Sequence, residues 1–347
     1  MSMADLKNSC NRYPSLDGLR AIAAVGIVMM HVLANSNCSL YPEMLNPIVN
    51  SFTNFTFLFM IVSAFGMCCG YYERFKQGQV NLSSFYKKRY TRILPFFAFL
   101  VLIDIAVNPS WPEVYEGFAD LTLAFGLLPN AGISVIGVGW FLGVVFVFYM
   151  IFPFFVFLMD NKKRAWLVLL IASLLHFLAV SYFSRSELMV VPIGRWNIVY
   201  SFPFFVAGGL IFLYRQNIMQ LSGRSKWFPL LLLSLVIVGY YVLPKIQLLP
   251  DLLVFSALVL YAVLKAEERG LLNNSIVKFI SDISMEIYLC HMLFFRVVEK
   301  SHVDHLISNG NVLFVVTFLL TFAGALLFSL LWKRIVEPRV LHLFKLD

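Results

Sequence analysis

Three stretches of this chain bring together side chains that can carry protons or hold anions, and each lies in or beside an apolar run. The first is Asp17-Gly-Leu-Arg20, followed eleven residues after the arginine by His31. Asp17 and Arg20 are one helical turn apart and can pair. Histidine takes up and returns a proton near neutral pH, which suits it to act as a general base on a hydroxyl. At 1.5 Å of rise per residue, His31 stands about 16 Å beyond Arg20 along a helix axis. In the second stretch, Tyr86-Lys-Lys-Arg89-Tyr-Thr-Arg92-Ile-Leu-Pro95, Arg89 and Arg92 share one helical face. Such a pair clamps a single anionic group. It also fits a plainer role beside Lys87 and Lys88, as an anchor on lipid phosphates. The third, Ser284 to His291, sets Tyr288 and His291 three apart on one face, with Glu286 pointing elsewhere. A Tyr–His pair inside a bundle lines a polar cavity, relays protons, or bonds across helices. Trp140 opens a further apolar run, as an interface aromatic or as the wall of a pocket.

The elements that must position these groups are membrane helices. Of the 347 residues 60% are hydrophobic, 16% aromatic and only 13% charged, with a mean hydropathy of +0.80. An ordinary soluble protein is about 25% charged, so a water-soluble enzyme is excluded. Spans of about 20 apolar residues cross a bilayer core, and reading for them gives 15–34, 52–72, 93–107, 140–159, 165–183, 196–214, 228–243, 252–264, 280–298 and 312–332. A shorter apolar piece at 119–128 reads as a re-entrant or half-buried helix. The expected fold is therefore all-α and integral to the membrane: one domain over 1–347, with ten transmembrane helices plus that short one.

Loop charge sets the orientation. Asn35–Ser51 holds no Lys or Arg, whereas the next connection carries Arg74, Lys76, Lys87, Lys88, Arg89 and Arg92. The positive-inside rule then places both termini in the cytoplasm. All but five of the 27 basic residues fall inside, the exceptions being Arg185, Arg195, Lys245, Arg296 and Lys300. Asp17 and Arg20 interrupt the start of the first span, which argues against a cleaved signal peptide. The formal charge of +8 is accounted for by these loops, and no nucleic-acid partner is expected. The expected location is the cell membrane, plasma or inner.

Other chemistries find little support. Cys10, Cys38, Cys68, Cys69 and Cys290 form no C-x-x-C pair and no disulfide framework. No phosphate-binding glycine loop, H-E-x-x-H or G-x-S-x-G is present. His302 and His305 offer a metal two ligands without a third nearby, and no metal is expected.

Taken together, these residues resemble the membrane-bound acyltransferase 3 family. The likeness rests on Leu16-Asp-Gly-Leu-Arg20 with the Arg-x10-His spacing to His31, and on the R-x-x-R of Arg89 and Arg92 running into Pro95. It continues through Trp140, Leu142, Phe148, Tyr149 and Pro153, and ends on the Ser-x-x-Ile-Tyr-Leu-x-His motif of Ser284–His291. The motifs follow in order along nearly the whole chain. Where many relatives have a pair of carboxylates after the tryptophan, this chain has Val145 and Phe146. The resemblance implies a ten-helix core and transfer of an acyl group, in many members an acetyl, to sugars of cell-surface carbohydrates or glycolipids. Acyl-CoA, here acetyl-CoA, would be the donor substrate, with no permanently bound cofactor. On this reading Arg89 and Arg92, with Arg20, hold the donor's phosphates and the pantetheine arm threads toward His31, the catalytic base. Asp17 orients Arg20, and Tyr288, His291 and Trp140 support the site. The alternative is a multispan transporter or flippase for a lipid-linked or anionic small molecule. Against it, no two-half repeat and no matched pair of broken helices is evident.

Overall fold

A computed structural model describes residues 13–128, 133–183, 193–221, 227–243, 248–266 and 268–343. Cys10, Arg185 and Lys245 lie outside them. Among the described residues the regular structure is helical, as the hydropathy pattern requires: inside a bilayer a helix satisfies its own backbone polar groups.

Helix α1 (Pro14–Asn35) is the hub. Pro14 fits its first turn, where no intrahelical bond is lost, and Asp17 suits the positive end of the helix dipole. Gly18, Ala21, Ala23, Ala24 and Gly26 are all buried, and small residues let neighbouring helices come close. A short helix α2 (Leu45–Ser51) and one 3₁₀ turn lead into α3 (Phe55–Lys76). Helix α4 (Leu82–Val107) begins well before the apolar span expected at 93–107, capped by the Asn81 side chain accepting from Ser84 N–H at 3.0 Å. Hydropathy missed this first part because its side chains are charged; the basic segment and the span are one continuous helix. Pro95 lies within it.

The piece expected at 119–128 is not the helix. The helix is α5 (Trp111–Leu121), capped by Ser110 and started by Pro112. It stops where the Thr122 side chain bonds locally to Ala119 O and Ala124 N–H and Leu123 turns left-handed, with φ of +57°. At eleven residues it covers about 16 Å, too little to cross a core of about 30 Å. Gly117 seats it on α4, since a Cβ there would fall 2.7 Å from Ile105 Cδ1 and 3.0 Å from Val101 Cγ1.

Beyond it come α6 (Trp140–Leu158), α7 (Lys162–Leu178, continued by a π turn to Phe183), α8 (Ile198–Leu221), α9 (Trp227–Val242) and α10 (Leu248–Leu264). The span expected at 280–298 is two helices, α11 (Ser275–Asp282) and α12 (Ser284–Lys300), because Ile283 leaves helical geometry at φ −121°, ψ 15°. Helix α13 (Gly310–Leu331) runs through a π turn into α14 (Glu337–Leu343). Among the described residues seven helical stretches are long and apolar enough to cross a membrane, and α9 and α10 are apolar but shorter. Helix α12 is shorter still in apolar content, because Glu286, Arg296, Glu299 and Lys300 interrupt it. The core lies where α1 packs against α3, α10, α11, α12 and α13. That surrounds His31's helix with partners on most sides.

Candidate active site

Two cavities lie along α1, and their linings differ in kind. The first, of about 230 Å³, is walled by Arg20, Arg89 and Arg92 together with Ser63, Tyr71 and Tyr149. Arg20 Nη1 is 2.9 Å from Asp17 Oδ1, so one of the three cations has a carboxylate partner. Arg89 has none among the described residues. Its guanidinium lies over the rings of Tyr71, Phe85 and Tyr149, at 5.0, 5.5 and 5.5 Å. Its Nε is buried without a hydrogen-bond acceptor. Arg92 is exposed and close enough to repel Arg20. Three guanidinium groups against one carboxylate make the cavity a site of net positive charge, where a charged hydrogen-bond acceptor would find bidentate donors.

The second cavity, of about 260 Å³, is walled by His31, Asn35, Asp104, Ser134 and Arg296, with residues 135–138 and apolar residues of α4 and α12. The Glu116 carboxylate fixes this wall from α5. It accepts Ser134 Oγ–H and Val135 N–H, each at 2.7 Å, and Ser134 N–H as well.

Among the described residues none lines both cavities. Tyr288 stands between them: its ring faces the arginine cavity, and its hydroxyl donates at 2.7 Å to the carbonyl of Val138 in the wall of the other. Phe59 and Phe141 pack edgewise or tilted around that ring. The sequence reading expected an open thread from the arginines to His31. The structure has an aromatic partition across it.

His31 is held by its neighbour on α12. His291 Nε2 is 3.1 Å from His31 Nδ1, and His291 Nδ1 is 2.7 Å from the Tyr288 carbonyl. A carbonyl only accepts, so His291 carries its proton on Nδ1 and its Nε2 is the acceptor. His31 must then donate from Nδ1, which also lies 3.1 Å from Ile27 O. This network assigns the free lone pair of His31 to Nε2. A backbone carbonyl thus fixes, through two imidazoles, which nitrogen of His31 is a base.

A scan of the sequence against protein families matches the acyltransferase domain over residues 13–330. The chain belongs to the acyltransferase 3 family. Searches of curated proteins and of solved structures each return no match. As a member of that family it is a membrane acyltransferase. Of the motif residues, Arg20, Arg89, Arg92, Leu142, Tyr149, Ser284 and Tyr288 line the arginine cavity, and His31 and Leu289 line the histidine cavity. Trp140 walls neither. Its ring takes the Arg195 guanidinium at 5.1 Å, and Arg195 Nη1 donates to Thr53 Oγ1 at 2.5 Å. Val145, where many acyltransferase 3 relatives carry a glutamate, lines the arginine cavity as an apolar residue, and Phe146 packs on Tyr90 at 4.5 Å. Glu286 does point away from Tyr288 and His291, to Lys333 at 3.0 Å.

Several residues of this acyltransferase 3 site escaped the sequence reading. Gly66 is one: a Cβ there would sit 3.3 Å from Arg20 Nη2, so its bareness makes room for the guanidinium. Arg195 acts electrostatically on both His31 and Tyr288, from a loop with no motif to mark it. Asp104 and Arg296 had a signal, since ionisable residues within apolar spans are candidates by default. Beside the His302–His305 pair stands a third candidate donor that the sequence reading did not count, Asp304. The three donor atoms lie within 4.8 Å of one another on an exposed turn. A further cavity, about 640 Å³, lies on another face of α1 against α9 and α10, and is lined mainly by apolar side chains, Leu19 of the first motif among them.

Proposed function

We propose that this acyltransferase moves an acyl group, an acetyl, from acyl-CoA on the cytoplasmic side to a hydroxyl of an acceptor on the outer side, a cell-surface or exported carbohydrate. One observation carries the reading: three guanidinium groups with a single carboxylate partner line one cavity, and that cavity ends at the tyrosine behind which His31 lies. CoA bears several phosphate charges on a long neutral arm, and this cavity offers charge at one end and a narrow aromatic exit at the other. The positive-inside pattern puts the arginines toward the cytoplasm and His31 toward the far face, in a ten-span chain of the cell membrane with both termini cytoplasmic.

In this reading Arg89, Arg92 and Arg20 hold the donor phosphates, and Asp17 keeps Arg20 turned toward them. The arm passes Tyr288 once its bond to Val138 opens, bringing the thioester to His31. His31 Nε2 takes the proton of the acceptor hydroxyl as its oxygen attacks the thioester carbonyl. The carbon–sulfur bond breaks, and the imidazolium returns the proton to the CoA sulfur. His291 Nε2 accepts from His31 Nδ1 throughout and steadies the imidazolium, the part an orienting carboxylate plays in hydrolytic triads.

The test uses purified protein in proteoliposomes with acetyl-labelled acetyl-CoA. Transfer or release of the label that His31→Ala abolishes while insertion is normal supports the reading. Absence of both in the wild type, or normal activity in His31→Ala, overturns it. A transporter would leave the thioester intact.

A further inference from the structure

The histidine cavity differs from the arginine cavity in more than charge, and its lining speaks to the acceptor. Resting on the reading of His31 as the base for an acceptor hydroxyl, we propose that this cavity is a subsite for one uncharged, polyhydroxylated ring, recognised by the Asp104–Arg296 pair with Asn35. The volume of about 260 Å³ is at the small end for ligand pockets, which run from about 300 Å³ upward, so it admits one ring and leaves a longer acceptor outside.

The polar groups are arranged for hydroxyls. Asn35 follows His31 by one turn and spends a side-chain N–H on the His31 carbonyl at 2.7 Å, which leaves Oδ1 to accept at the mouth. Arg296 Nη1 reaches Asp104 Oδ1 at 3.5 Å, the limit of a hydrogen bond. Asp104 is largely shielded, with 15% of its side chain exposed, whereas Arg296 is 54% exposed. A loosely made pair of this kind presents an acceptor oxygen and planar donors side by side. Neighbouring hydroxyls of a sugar, each both donor and acceptor, satisfy the two together. Leu100, Ile103, Leu289 and Met292 supply apolar wall for the C–H faces of a ring.

The surrounding charge disfavours an acidic acceptor. Glu113 and Glu116 on α5 act on Asp104 along with Arg296, so an added carboxylate at that end meets three others against one guanidinium. Arg195, the other cation near His31, does not line the cavity: its guanidinium stacks on Trp140 and donates to Thr53.

The experiment compares methyl hexosides of glucose, galactose and mannose with the matching methyl hexuronides as acetyl acceptors for the reconstituted enzyme. A preferred hexoside should exceed its hexuronide by at least about tenfold in kcat/KM, equivalent to about 1.4 kcal/mol. Asp104→Asn should raise KM for the hexoside about tenfold, change kcat less, and narrow the preference; Arg296→Gln should raise KM without narrowing it. Acetyl-CoA binding should be unchanged in both, which separates a folding defect from a lost subsite. Equal use of hexuronide by the wild type, or an unmoved KM in Asp104→Asn, overturns the proposal. So does transfer to none of the six glycosides while His31-dependent consumption of acetyl-CoA persists, a result that leaves the donor reading standing. Failure of the wild type to bind or consume acetyl-CoA removes the acyl-transfer reading first and this proposal with it.

Discussion

The arginine and histidine cavities sit back to back on the same three helices, α1, α4 and α12 or its immediate neighbours, yet they handle charge in opposite ways. On the arginine side cations crowd together, and among the described residues only Arg20 of the three is ion-paired with a carboxylate. On the histidine side Arg296 faces Asp104, Arg195 is stacked and hydrogen-bonded, and Glu116 is spent on three loop donors. Burying a cation without a partner costs free energy that the fold alone does not recover. Arg89 is half-buried with its Nε enclosed, and three rings shield it, which is weaker compensation than an anion would give. The first cavity therefore holds an excess of cations over ion-paired carboxylates among its described residues, whereas in the second the lining cation Arg296 faces a carboxylate.

The largest expected effect lies at His31, in the histidine cavity. His31→Ala should lower acetyl transfer by about 10²–10⁴-fold, the span a positioned base contributes. His291→Ala should cost less, on the order of tenfold to a hundredfold, because the base survives while its tautomer is freed. His291→Gln, which keeps an acceptor near the position of Nε2, should recover part of that loss. Initial rates with saturating acetyl-CoA measure all three. Equal losses for His31→Ala and His291→Ala, with no recovery in His291→Gln, would mean that the two imidazoles act as one unit and that the donor–acceptor order assigned to them is wrong.

Next in size is the difference between two arginines of one motif. Arg89→Ala should raise the KM for acetyl-CoA about tenfold or more, and Arg89→Lys nearly as much, because an ammonium cannot stack as a planar guanidinium does. Arg92→Ala should raise it less, since Arg92 is exposed and screened by solvent. Titration of acetyl-CoA binding checks both. A larger loss for Arg92 than for Arg89 would reverse the reading that the shielded cation counts most for the donor. Gly66→Ala tests the same cavity from the opposite wall. The new methyl must push Arg20 by a few tenths of an ångström, and a rise in KM of only a few-fold is expected, with no change in kcat.

Much of the arginine side was legible in the sequence, and less of the histidine side. Asp17, Arg20, Arg89 and Arg92 stand at helical spacings on two continuous helices, so local geometry alone brings each pair to one face. The ring of Tyr149 against Arg89 lay in a quoted motif, although nothing in the spacing told which cation it would meet. The histidine cavity is assembled from α1, α4, α12 and a loop clamped by α5, and no sequence periodicity links residues so far apart. The apolar run at 119–128 misled because hydropathy does not register a side-chain-bonded turn such as that at Thr122. The break at Ile283 was likewise hidden, since an apolar β-branched residue reads as helix continuation inside a span. Trp140 was drawn toward the pocket by its motif, when a distant arginine claims its ring.

The smallest expected effect concerns a carboxylate that would otherwise contradict the contrast between the two sides. Asp120, on the short helix α5, is fully buried with neither oxygen hydrogen-bonded among the described residues. Burial first, and then the neighbouring Glu116 carboxylate, pushes it up to about 7 from the ordinary 3.8. Below that pH it is a neutral acid and adds no unpaired charge to the histidine side. Because the folded state holds this proton more tightly than the unfolded chain, stability falls as pH rises from about 4 to about 7 and levels off above. Asp120→Asn removes that dependence. Thermal unfolding in detergent should show the variant a few degrees more stable at pH 8, with the difference shrinking toward zero near pH 4.5. An equal shift at both pH values would mean that Asp120 is ionised in the folded protein, and the histidine side would then carry an uncompensated charge of its own.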